Sequence, residues 1–193
     1  MDIERLGIDG AFVITNEKHA DDRGEFVEWF RSDIIQRETG LDFSTIQANL
    51  SVSTKGSFRG IHYADVPPGQ AKYVTCVTGA ILDFVVDIRV GSPTFGQWET
   101  VPISANDRRA VLLDVGLGHA FLALEENTTV AYLVTDHFKP KSEHAINPLD
   151  AELALSFPLS KRELIFSPKD EKAPSLSEAL DSGRLPQWKQ AGK

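Results

Sequence analysis

The chain of 193 residues contains one cysteine, Cys76, so no intrachain disulfide can form. That excludes a fold stapled by bridges and suits a reducing compartment. Positive charge is also scarce. Twenty Lys and Arg stand against 28 Asp and Glu, giving a formal net charge of -8. A surface of that sign repels nucleic acid and anionic membranes, although a local basic pocket can still take a phosphorylated ligand. No apolar run approaches the roughly 20 residues of a membrane helix. The opening stretch, MDIERLGIDG, holds no apolar core of the signal-peptide type. A soluble cytoplasmic protein is expected, with neither nucleic acid nor membrane as partner. Repeats and low-complexity tracts are missing too, as are a G-x-S-x-G elbow and a P-loop. Cys76 lies in an apolar strand and reads as a small buried hydrophobe.

What is present is ordinary globular material, 41% hydrophobic and 25% charged, enough for one compact domain. Fourteen Gly and ten Pro imply many turns. Leu82, Phe84, Val86 and Ile88 alternate with Ile81, Asp83, Val85 and Asp87, the period of a largely buried strand. Thr78-Gly79 offers a turn, so 72–77 and 81–88 are expected to pair as a hairpin. Further strands are expected at 46–53, 97–103, 110–113, 120–124 and 128–135. Many short strands at close spacing point to an all-β double-sheet jelly roll. Helices are few and peripheral. One covers Ser32–Thr39 and stops at Gly40. Another covers 175–182, with Ser175 and Glu178 as a capping box and Gly183 as its stop. The whole of 1–193 reads as a single domain: a jelly-roll core at about 45–158, N-terminal strands and arm at 1–44, and a helical tail at 159–193.

Two of the five histidines stand beside glycines that allow close backbone approach, His62 in S-F-R-G-I-H-Y and His119 in D-V-G-L-G-H-A-F. Each can be a structural histidine bonded to backbone, or can face a cavity. Cupin-type barrels often hold a metal with a His-x-His pair, a Glu and a distant His. His119 resembles the distant ligand, but His62 is followed by Tyr63 and Ala64. A catalytic metal needs about three protein ligands, so no metal is expected. Arg59 precedes His62 by three residues, Lys72 follows it by ten, and Arg23 lies in D-D-R-G-E-F. Singly these are surface charges; gathered round one cavity they would suit a diphosphate.

Six segments resemble the dTDP-4-dehydrorhamnose 3,5-epimerase family. They are D-D-R-G-E-F at 21–26, Q-A-N-L-S-V-S at 47–53, R-G-I-H-Y at 59–63, G-Q-A-K-Y-V at 69–74, L-D-F-V-V-D-I-R-V-G-S-P-T-F-G at 82–96 and G-L-G-H-A-F at 116–121. They occur in the family's order across roughly residues 5 to 158. Leu50, Leu133, His137-Phe138 and the N-P-L-D run at 147–150 depart from the rhamnose-pathway pattern. They look more like the subgroup that makes deoxysugars for glycosylated natural products, whose members invert C3, C5 or both.

The resemblance implies a cupin-like jelly roll, a homodimer, no metal and no coenzyme, and a dTDP-linked 4-keto-6-deoxysugar as ligand. By position His62 matches the general base, Tyr132 the general acid and Lys72 a lysine at the sugar. Asp150 matches an aspartate that orients the histidine. Arg23, Phe26, Glu28, Gln47, Asn49, Arg59 and His119 match substrate-binding positions. The chemistry such a set would serve is simple. A 4-keto group acidifies the protons on C3 and C5; a base removes one, and an acid on the opposite face returns one, inverting that centre. Three alternatives remain open on the sequence: a 3,4-ketoisomerase in a related barrel, a non-catalytic sugar-nucleotide-binding protein, and a metal-dependent cupin oxygenase.

Overall fold

The computed structural model describes residues 1–188; residues 189–193, the end of the expected tail, lie outside the described residues. In chain order the elements are β1 (Asp2–Arg5), β2 (Ala11–Thr15), β3 (Lys18–Asp21), β4 (Gly24–Val27), α1 (Ser32–Thr39), β5 (Gln47–Ser53), β6 (Phe58–Ala64), β7 (Lys72–Thr78) and β8 (Ala80–Val86). They continue with β9 (Trp98–Ser104), β10 (Arg109–Leu113), β11 (Gly118–Ala123), β12 (Thr128–Val134), β13 (Glu143–Ala145), α2 (Pro168–Glu171) and α3 (Leu176–Asp181).

Two antiparallel sheets face each other. One has the order β1-β2-β10-β7-β12-β5 and the other β13-β6-β11-β8-β9, with β3-β4 as a separate hairpin. From β5 to β13 the chain changes sheet at almost every connection, and only β8 and β9 are consecutive partners in one sheet. This is the cupin-like double-sheet jelly roll. It also corrects the expected hairpin of 72–77 with 81–88. The turn is where expected, with Gly79 at φ +79 and no room for a Cβ beside Thr128 Oγ1. It hands the chain from one sheet to the other, because β7 finds its partners in β10 and β12 while β8 pairs with β11 and β9. A turn signal sets local chain reversal; it does not choose the partner strand.

Three apolar clusters make four layers. Between the sheets lie Val74, Ile81, Val85, Val111, Phe121 and Val130. Outside the six-stranded sheet, α1 and the segments on either side of it cover Phe12, Tyr73 and Leu112 with Ile35, Phe30 and Phe43. Outside the five-stranded sheet, the C-terminal tail covers Phe58, Phe84 and Val86 with Leu153, Leu176 and Ala179. So the wholly apolar face of β8 packs under the tail, and its mixed face, carrying Asp83, looks inward between the sheets. Two expected boundaries shift. β1 and β2 belong to the six-stranded sheet rather than to an arm, and the tail is a structural layer rather than an appendage.

Local signals behave as their chemistry requires. Gly40 caps α1 at φ 78. Ser175 and Glu178 form the reciprocal capping box of α3. The buried Asp87 accepts from Arg89, Ser92 and Thr94 at 2.6–3.0 Å and so folds the long β8–β9 connection. Among the described residues no helix is long and apolar enough to cross a membrane.

Candidate active site

A cavity of about 450 Å³ opens between the sheets, with Arg59, His62, His119 and Phe121 on one wall and Lys72 and Tyr132 on the other. Strand alternation would put Arg59 and His62 on opposite faces of β6. The ladder to β11 corrects this. His62 faces His119 and Arg59 faces Phe121, so a register shift places Gly60 and Ile61 opposite Ala120 alone. An irregularity that sets two residues against one resets the parity, and both functional side chains then point inward. Gly60 makes it feasible. Its φ is +135, and a Cβ there would stand 2.3 Å from Ala120 Cβ and 2.6 Å from His119 O.

His62 Nε2 lies 2.8 Å from Asp170 Oδ1, whose side chain is 4% exposed. Burial raises the Asp170 carboxyl, but the hydrogen bond and charge of His62, with Ser167 and Lys169, hold it below its ordinary value. An ionised carboxylate only accepts, so the bonded ring nitrogen carries the proton and the other is left able to take one. His119 repeats the motif on the neighbouring strand, with Nε2 2.8 Å from Asp83 Oδ2. The second oxygen of Asp83 is buried without a hydrogen-bond partner among the described residues. Lys72 is 8% exposed. Burial lowers its pKa, against the pull of Glu143 and Asp83. Burial raises the Tyr132 phenol, with Arg59 opposing and Glu143 adding, so the hydroxyl remains a donor at neutral pH. On β5, Ser51 lines the cavity, and Gln47 and Asn49 continue the same strand face. Gln47 donates to Asn49 Oδ1 at 2.7 Å, and Asn49 stands opposite Tyr132 in the ladder. Arg59 Nε donates to Ser53 Oγ at 3.0 Å.

Not every expected site residue is gathered here. Asp150 is not the partner of His62. Its buried carboxylate accepts the backbone N–H groups of Glu152 at 2.9 Å and Leu176 at 2.7 Å, and the carboxylate bonded to His62 is that of Asp170. Arg23, Phe26 and Glu28 lie on or beside the β3–β4 arm and do not line the cavity of their own chain. Arg23 bonds Asp21, and its side chain is 89% exposed; Phe26 is 68% exposed; Glu28 accepts from Arg31. The tail segment through Ser167, Lys169 and Asp170, none of them among the expected site residues, closes one side of the cavity. A signal was there. Ser167-Pro168 is a helix-start pair, and it puts Asp170 in the first turn of α2, where Ser167 caps it. Cys76 is buried and donates to Thr78 O. Burial pushes its thiol up to about 11, which leaves it inert. No group of three or more His, Cys, Asp or Glu among the described residues is arranged to hold a metal ion.

Fold and site together define a cupin-like jelly roll whose cavity between the sheets gathers His62, His119, Lys72 and Tyr132. The model of the dTDP-4-dehydrorhamnose 3,5-epimerase family matches residues 5–178, and the chain belongs to that family of isomerases. It is 50% identical to a dTDP-4-dehydrorhamnose 3,5-epimerase of Mycolicibacterium smegmatis over 97% of this chain and 92% of that one. Among solved structures it resembles NovW, a 4-keto-6-deoxy sugar epimerase from the novobiocin gene cluster of Streptomyces spheroides. That match has a TM-score of 0.94 and 48% identity over 97% and 94% of the two chains. It also resembles ChmJ, a 3'-monoepimerase of Streptomyces bikiniensis in complex with dTDP-quinovose. Here the TM-score is 0.90 and the identity 47%, over 94% and 91% of the two chains.

Proposed function

We propose that this protein epimerises a dTDP-linked 4-keto-6-deoxyhexose at C3, C5 or both, without metal or coenzyme, using His62 as base and Tyr132 as acid. One observation carries the assignment: His62 on β6 and Tyr132 on β12 line one cavity from opposite sheets. A sugar ring held between them has a proton acceptor on one face and a donor on the other. The free ring nitrogen of His62 takes the proton beside the ketone, and the Asp170 carboxylate steadies the imidazolium that results. Electron density moves to the ketone oxygen, where the Lys72 ammonium stabilises the enolate. Tyr132 returns a proton from the other face. Arg59, Gln47, Asn49 and His119 hold the nucleotide diphosphate and the sugar, and Lys169 adds charge at the rim. Asp150 has no part in this scheme as orienting carboxylate.

The arm residues enter through a second copy of the chain. β5 ends the six-stranded sheet, and Leu50 and Val52 on its outer face are 65% and 57% exposed. An open apolar edge of this kind calls for a cover. A homodimer covers it and carries Arg23, Phe26 and Glu28 of one protomer to the nucleotide end of its partner's cavity. The free thiol of Cys76 suits a reducing cytoplasm.

The test is product analysis. Incubation with dTDP-4-keto-6-deoxyglucose should give a product with the carbonyl still at C4 and inversion at C3, C5 or both, read by proton NMR. A carbonyl moved to C3 would make the protein a ketoisomerase, and unchanged substrate would leave a binding protein.

A further inference from the structure

α2 is a single turn of four residues, and a helix that short does not hold itself. Yet it carries Asp170, on which the orientation of His62 depends. Its N-terminal side is fixed by Ser167 and by a bridge between Ile165 and Ser57, next to the start of β6. Its C-terminal side is gripped by a turn outside the cavity. Asn147 Nδ2 donates to Glu171 O at 3.0 Å, and its backbone N–H donates to Pro174 O at 2.8 Å. Asp150 Oδ2 accepts from Leu176 N at 2.7 Å. The turn is stiffened from within, since Leu149 N donates to Asn147 Oδ1 and Asp150 N to Asn147 O.

The same turn is tied to the base. Ile146, just before Asn147, exchanges backbone hydrogen bonds with Ile61, just before His62. A ring therefore closes: His62 to Ile61 along the chain, Ile61 to Ile146 by hydrogen bonds, Ile146 to Asn147 along the chain, Asn147 to Glu171 by its side chain, Glu171 to Asp170, and Asp170 back to His62. We propose that Asn147 and Asp150 are positioning residues for the reaction, setting the depth and angle at which Asp170 meets His62. This rests on the functional reading above, in which the His62–Asp170 pair is the base. It gives Asp150 a role transmitted to the imidazole through Asn147, Glu171 and Asp170 instead of in contact with it.

Asn147→Asp is the informative change. It keeps the acceptor for Leu149 N–H, so the turn can form, and replaces the donor facing Glu171 O by an oxygen. Displacements of about 1 Å at a catalytic group can cost about 10²-fold, so a kcat loss of roughly 10- to 100-fold is expected. KM should stay within about threefold, because Arg59, Gln47 and Asn49 are untouched. Asp150→Asn should act in the same direction. In an Asp170→Asn background Asn147→Asp should add less than about twofold, since the two changes share one route. A readout independent of turnover is the ¹⁵N chemical shift of the His62 ring, which in Asn147→Asp should move toward its value in Asp170→Asn. Wild-type kcat in a folded Asn147→Asp protein, a fully multiplicative loss in the double variant, or unmoved His62 signals would overturn the proposal. If the wild-type protein turns over no 4-keto sugar, the functional reading falls, while the ring shifts still decide whether the turn positions His62.

Discussion

His62 and His119 are direct partners across the β6–β11 ladder, and each ring holds its own buried carboxylate, Asp170 for one and Asp83 for the other. The two pairs differ in origin. Asp83 comes from β8 within the same sheet, whereas Asp170 is delivered by the tail. In the proposed mechanism His62 takes the proton and His119 holds the substrate, so the two carboxylates should separate kinetically. Asp170→Asn should lower kcat by about 10²–10³-fold with little change in KM. Asp83→Asn should act mainly on KM. Steady-state kinetics on the two variants checks this, and equal effects would show that the pairs share one role.

The alkaline side of the pH profile should belong to Lys72. Burial lowers its pKa from the ordinary 10.5 and raises that of Tyr132 from 10.0. Raising the pH through the lowered Lys72 value removes the positive charge that the proposed mechanism places at the ketone oxygen. kcat/KM should fall through an apparent pKa below 10.5. Arginine keeps its charge throughout this range, so Lys72→Arg, whatever its absolute rate, should lose that limb. The same limb in both proteins would assign it to another group.

Gly60 is demanded by the register shift that turns Arg59 and His62 to one face. Gly60→Ala puts a methyl group 2.3 Å from Ala120 Cβ at a φ of +135. Overpacking and a strained φ together should cost about 2–4 kcal/mol. Urea denaturation should show the midpoint falling without a change of slope. A loss below about 0.5 kcal/mol would mean that the two strands relax apart easily.

The arm should act in trans. Leu50→Glu and Val52→Glu on the exposed face of β5 should convert a dimer to a monomer by sedimentation, and the monomer should bind thymidine diphosphate more weakly. Phe26→Ala should raise KM and leave the dimer intact. Mixing an arm-defective Arg23→Ala, Glu28→Ala chain with a His62→Ala chain should restore part of the activity, because one of the two cavities then has both a sound base and a sound arm. No recovery on mixing would place the arm residues in cis.

Much of this molecule is legible in the sequence, and the unreadable part has a common cause. Strand periods gave β8 and β12, capping chemistry gave α3 and the end of α1, and the glycine contexts singled out His62 and His119. These are local signals. The pairing of β7 with β12 instead of β8, and of His62 with Asp170 instead of Asp150, are decided by which segments meet across the fold. Asp170 is 108 residues from His62, and nothing between them states the contact. Alternation in β8 marks a largely buried strand, as found, but not what covers each face: the tail covers the apolar one, and Asp83 on the mixed one lies between the sheets, bonded to His119.

In the proposed mechanism a base and an acid act from opposite sheets through an enolate. The most direct measurement is deuterium entry into dTDP-4-keto-6-deoxyglucose in deuterated water, followed by NMR for the wild-type protein, His62→Ala and Tyr132→Phe. The wild-type protein should give inverted, deuterated product. His62→Ala should give neither deuterium nor inversion, since no enolate forms. Tyr132→Phe should still introduce deuterium, returned from the His62 side, while inversion drops by about 10²–10⁴-fold. Deuterium entry at the wild-type rate in His62→Ala, or full inversion in Tyr132→Phe, would contradict the account.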